Sequence, residues 1–87
     1  MYYTYILQNS ISLRYYIGST NDLDRRLNEH SRGQTRSTKQ KGSWKLIYVE
    51  KHLDYIQAKK REKVIKSYKG GNAFKKLLTK NAVVVQR

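Results

Sequence analysis

A chain of 87 residues holds one domain, and a fold of this size buries only about 60–65% of the surface its unfolded form exposes, so stability is modest. With no Cys and two His, at 30 and 52, it offers neither a disulfide framework nor a zinc cage; no apolar run approaches the roughly 18–20 residues that cross a bilayer, and a cytoplasmic protein is expected. The net charge of +13 attracts polyanions, chiefly nucleic acid, whereas binding to an anionic membrane would need an apolar helix face that so short a chain must spend on its core.

In chain order, Tyr2 to Leu7 is aromatic and β-favouring, Asn9 to Leu13 is polar and turn-like, and Tyr15 to Ser19 is again β-favouring, which predicts a hairpin. Asn21-Asp22 offers an N-cap, and Leu23 and Leu27 recur at helical spacing up to His30, with Gly33 as a stop, so a helix is expected over about 22–31. Arg32 to Gly42 contains no apolar residue and reads as a basic loop. Trp44 to Val49 fits a third strand, with Trp44, Leu46 and Tyr48 on one face and Lys45, Ile47 and Val49 on the other. Asp54 with Gln57 resembles a capping box that opens a helix running to about Tyr68; Gly70-Gly71 ends it, and Ala73 to Leu78 forms a short basic helix. Residues 1–80 are thus expected to form the domain and 81–87 a tail, whose Ala82 to Val85 is open to reading as a frayed end, an edge strand or a contact, in a monomer or a homodimer. The order β-β-α-β-α-α implies an α+β fold, a small sheet with helices packed on it.

Charge is distributed unevenly over this frame. Residues 1–30 balance three basic against three acidic side chains, while residues 31–87 carry sixteen basic against three acidic, so the whole excess lies in the second part.

Helical geometry then separates residues that look alike in the string. With Leu23 as origin, Leu27 projects at about +40°, His30 at about −20° and Arg26 at about −60°, whereas Arg25 projects at about −160°, into water. A guanidinium beside a sheet must find a carboxylate, a carbonyl or a phosphate. For Arg26 an ordinary pair with Asp22, four residues earlier, and a functional anion are both open. In the second helix Tyr55, Ala58, Glu62 and Ile65 fall within roughly 80° of one another, which places Glu62 inside the apolar stripe. A carboxylate there has to be paired, protonated or metal-bound; an ion pair to Lys66 and a cation site are both open. The eight tyrosines favour half-buried pleated surfaces. Gly18 either admits a close approach or ends a strand.

Tyr3-Thr4-Tyr5, Tyr16-Ile17-Gly18-Ser19, Arg26, His30 and Arg61-Glu62-Lys63 together resemble the GIY-YIG nuclease superfamily, and most closely its small standalone bacterial branch. The likeness runs from Tyr2 to about Leu78, with Tyr3 and Thr4 standing at the Gly and Ile positions of the first motif. It implies a three-stranded antiparallel sheet flanked by helices and an endonuclease using one Mg²⁺ or Mn²⁺, most simply on DNA. Carried over by position, the resemblance makes Glu62 the metal ligand and Arg26 the phosphate clamp. Tyr5, made more acidic by cations, would position or deprotonate the attacking water, assisted by Tyr16 and His30. Arg32, Arg36, Lys39 and Lys41 in the loop, and Lys59, Lys60, Lys63 and Lys66 on the helix, would track the phosphate backbone. The alternative is a DNA- or RNA-binding module that keeps the fold without the chemistry.

Overall fold

The computed structural model describes residues 1–31 and 42–80. The loop cations Arg32, Arg36, Lys39 and Lys41 and the 81–87 tail lie outside the described residues.

The hairpin is formed by β1 (Tyr2–Asn9) and β2 (Tyr15–Thr20), paired antiparallel with Tyr5 opposite Gly18 and Ile6 opposite Ile17. Its turn is set by Asn9, whose Oδ1 accepts from the backbone N–H of Ile11 and of Ser12, both at 2.9 Å. Leu13 completes the reversal at φ 61°. Helix α1 (Leu23–Ser31) starts where expected, because the Asp22 carboxylate accepts from the Arg25 N–H at 3.1 Å and meets a donor that the helix itself leaves unpaired.

Strand β3 (Trp44–His52) pairs antiparallel with β1, giving the order β2-β1-β3. The expected alternation along β3 breaks in the middle. Ile6 faces Tyr48 but Leu7 faces Leu46, so Ile47 is an inserted residue. The bulge shifts the pleat by one residue: Trp44, Leu46 and Val49 share one face, and Ile47 and Tyr48 share the other.

Helix α2 (Tyr55–Ser67) is capped by Asp54, whose side chain accepts from the Gln57 N–H at 2.8 Å, and α3 (Asn72–Lys80) follows a turn in which Lys69 and Gly70 adopt positive φ. Two small cores result. Tyr5, Leu7 and Val49 pack with Leu23 and Leu27 of α1 on one sheet face, while Ile6, Tyr48 and Ile65 pack with Phe74, Leu77 and Leu78 on the other. The fold is therefore α+β, with a three-stranded antiparallel sheet between α1 and the α2–α3 pair. Among the described residues no helix is long and apolar enough to cross a membrane.

A second polar cluster lies near the far strand. Glu50 is buried and accepts from the Arg61 Nε–H with both carboxylate oxygens, at 2.9 Å each, and from the Tyr48 hydroxyl. His52 Nε2 stands 3.2 Å from the same carboxylate. This arrangement occupies the other buried acid and anchors α2 to β3.

Candidate active site

Strand β1 carries Tyr5 into the core between the sheet and α1, where its side chain is fully buried. Its hydroxyl is 3.0 Å from His30 Nε2, and the Arg26 Nε–H donates to the same oxygen at 3.3 Å. Arg26 also donates from Nη2 to the Tyr16 hydroxyl at 3.5 Å and from Nη1 to Glu29 at 2.9 Å. The rings complete the cluster: Tyr16 meets His30 edge-on at 4.4 Å between centroids and stacks on Tyr5 at 6.3 Å. Tyr5, Tyr16, Arg26 and His30 are thus brought together, and the helical arithmetic that set Arg26 apart from Arg25 holds.

The ordinary partner expected for Arg26 is replaced. Asp22 spends its carboxylate on the helix cap, so Arg26 pairs with Glu29 one turn ahead. That pair leaves Arg26 spanning Glu29, Tyr5 and Tyr16 with three nitrogens of its planar fork.

Protonation in the cluster follows from burial first. Desolvation pushes the Tyr5 phenol up to about 12, against the lowering effect of its hydrogen bond from Arg26. The expectation that neighbouring cations make this phenol more acidic is therefore corrected: inside the core, removal from water outweighs Arg26. Burial, reinforced by the Arg26 charge, lowers His30 to about 4, so at neutral pH its imidazole is uncharged. With a neutral ring and a protonated phenol, Tyr5 and His30 Nε2 share one hydrogen bond at 3.0 Å, whose donor is set by the imidazole tautomer.

This pair gives the fold a pH dependence whose sign is fixed. His30 binds its proton near pH 6.5 when unfolded and near 4 when folded, so between those values the unfolded chain holds more protons and acidification favours unfolding. Wild type is expected to lose about 2 kcal/mol of stability from pH 7 to pH 5 through this group, and His30→Gln should show a correspondingly flatter profile in urea titrations. Equal slopes in the two proteins would contradict the assignment.

Of the two readings of Gly18, the close approach holds and the strand end does not. It sits within β2 directly across from Tyr5, and a Cβ placed on it would lie 2.6 Å from the Tyr5 hydroxyl and 2.8 Å from the ring carbon that bears it. The missing side chain is the space the phenol occupies. Gly18→Ala is expected to cost about 1–3 kcal/mol by thermal denaturation, because a buried ring must move. The displaced Tyr5 should also alter the His30 titration measured by NMR.

Glu62 approaches from the opposite side of the sheet edge. Antiparallel alternation turns Ser19 toward α2 while Gly18 faces α1, and the Ser19 hydroxyl donates to Glu62 Oε1 at 2.5 Å. Lys59 donates to the same oxygen at 3.1 Å, and Lys66 donates to Oε2 at 2.7 Å. Desolvation works against the ionised form, but the bonds from Lys66, Ser19 and Lys59 outweigh it and hold the carboxyl below its usual range. Glu62 bears on the phenol cluster through its field at Tyr5. The ion pair to Lys66 is thus present, joined by Lys59, and both lysines point into the site. Lys60 and Lys63 are exposed on the same helix.

Ser19 stands in the second motif without a role read from the sequence; the pairing of Gly18 with Tyr5 turns it away from the phenol and onto Glu62. The departures in the first motif are absorbed by the fold: Tyr3 packs beside Tyr5, and the Thr4 hydroxyl donates to the Ala58 carbonyl of α2 at 2.8 Å.

Among the described residues no group of three or more His, Cys, Asp and Glu converges to cage a metal. A lone ionised carboxylate beside a hydroxyl fits a hard cation of the Mg²⁺ type, which keeps most of its waters and takes one or two carboxylates plus substrate phosphate oxygens. It does not fit zinc or calcium, which require fuller protein ligand sets.

Residues 1–75 match the GIY-YIG catalytic domain, so the chain belongs to the GIY-YIG family, a family of nuclease domains. Among solved structures it is similar to the solution NMR structure of a UPF0213 protein from Bacillus halodurans, with 27% identity and a TM-score of 0.53 over 92% of this chain and 84% of that one. No match is found among curated proteins.

Proposed function

We propose that this protein is a metal-dependent endonuclease that hydrolyses phosphodiester bonds in nucleic acid, most simply DNA, at the edge of β2. The observation that carries this reading is the placement of a three-way Arg26 fork on two tyrosines beside the Tyr5–His30 bond, with the ionised Glu62 on the other side of the same strand.

Arg26 holds the scissile phosphate and meets the negative charge that grows as the bond breaks. Tyr16 fixes one arm of that fork. Tyr5 remains a hydroxyl: once the attacking water reaches its oxygen, which is buried without substrate, the phenol accepts the water's proton and passes its own to His30 in the tautomer that leaves Nε2 unprotonated. A phosphate bound to Arg26 cancels the charge that helps depress His30, which makes the imidazole a better acceptor when substrate is present. Glu62 and Ser19 would hold a divalent cation, Mg²⁺ or Mn²⁺, which when bound would supply positive charge for the phosphoryl oxygens and a more acidic water. Lys59 and Lys66 neutralise Glu62 otherwise, and once released they reach the phosphate backbone together with Lys60 and Lys63.

A second reading has one observation in its favour. The two lysine bonds satisfy Glu62 as a structural ion pair, as a non-catalytic binding module would have it. Incubating labelled single-stranded DNA, duplex, branched DNA and RNA with Mg²⁺, Mn²⁺ or chelator separates the two. The nuclease cuts at least one substrate only with metal, and the binding module retains substrate in a salt-sensitive complex without cutting any.

A further inference from the structure

An open groove of about 390 Å³ lies between the start of α1 and the start of α2, and it shares Ser19 and Arg26 with the site above. Its remaining wall includes Tyr2, Asn21, Arg25 and Tyr55. Tyr55 stands at a helix position expected to be buried, yet 52% of it is exposed. Its ring meets Tyr2 edge-on at 5.6 Å between centroids, and Lys59 Nζ lies 5.9 Å from its centre. Arg25 keeps a side chain 62% exposed, with only a loose 4.0 Å approach to Glu29, whose carboxylate is already engaged by Arg26 at 2.9 Å. Aromatic surface and an exposed guanidinium therefore flank the proposed phosphate site on the same side.

We propose that this groove is a subsite for one unpaired nucleotide next to the scissile phosphate, with its base stacked on Tyr55 and its phosphate on Arg25. The inference rests on the nucleic-acid reading of the site and deepens it. Three features favour an unpaired base. The volume is at the low end of small-molecule sites and suits a group of one nucleotide's size. A duplex hides its base faces, so an exposed ring beside a phosphate clamp gains nothing from paired DNA. Stacking on an aromatic ring serves any base, because every base presents a π-face, so the subsite selects strand state and not sequence.

The test uses the full chain in chelator, where binding is read without cutting. Affinities for labelled hexathymidylate and for an all-abasic hexamer of the same backbone charge are measured for wild type, Tyr55→Ala and Tyr55→Phe. Tyr55→Ala should weaken hexathymidylate binding roughly 5- to 150-fold and leave the abasic strand nearly unchanged, while Tyr55→Phe, which keeps a stacking ring, should behave as wild type. An equal loss on both strands, or none on either, would overturn the subsite. Failure here with metal-dependent cutting intact removes this inference alone; stacking without cutting keeps it and removes the nuclease reading.

Discussion

Arg26→Ala is expected to lower the cleavage rate by roughly 10²–10³-fold or more while the protein stays folded, since a preorganised charge aimed at the breaking bond contributes several kcal/mol where water is excluded. The guanidinium makes three directed contacts, to Tyr5, Tyr16 and Glu29, and a Lys ammonium offers one point charge on a flexible stem. Arg26→Lys should therefore recover less than about tenfold of the loss. Arg26→Ala has a second consequence, which reports the charge at His30 separately from the cleavage rate. Removing a positive charge that helps depress His30 should raise its NMR titration midpoint from about 4 toward the ordinary imidazole value. A variant cleaving within twofold of wild type, with an unchanged His30 midpoint, would show that Arg26 is neither the clamp nor the neighbour that sets the imidazole.

Glu62→Gln should have an effect at least as large, about 10³-fold, because the amide keeps the shape and a hydrogen-bonding oxygen but not the charge that holds a hard cation. The fold should tolerate the change. Two of the three donors to Glu62 come from lysines whose side chains are about half exposed, 47% for Lys59 and 55% for Lys66, so both return to water without leaving a buried charge. The remaining donor, Ser19, is able to bond the amide oxygen. Nucleic-acid affinity should hold or rise, since a negative charge has been removed from a basic face. That combination of intact binding and lost cutting distinguishes a metal ligand from a structural ion pair.

Most of the fold was legible in the string because local signals agreed with the tertiary answer. Asn9 and Asp54 sit where a turn and a cap need side-chain oxygens, and Leu23 with Leu27 defines the face of α1 that packs on the sheet. The bulge at Ile47 was not legible. Alternation within β3 looks regular in isolation, and only its pairing with β1 requires an extra residue. The same holds in the site. Helical angles placed Arg26, His30 and Glu62 beside the core because angle depends on one helix alone. The partners of those groups depend on other elements, which is why Glu29 takes the place of Asp22, why Tyr5 fills the space above Gly18, and why Lys59 joins Lys66 at Glu62. Protonation was the least legible. The cations near Tyr5 were visible in the sequence, but the burial that outweighs them belongs to the packed core.

We propose that Glu62 and a divalent cation make this basic domain a cutting enzyme. The direct measurement is the single-turnover cleavage rate of wild type and a folded Glu62→Gln protein on one labelled substrate, across a Mg²⁺ and Mn²⁺ titration with a chelator control. The rate should rise with metal in wild type and collapse in the variant while substrate binding persists. Cleavage that is equal in the two proteins, or that survives chelation, would contradict it.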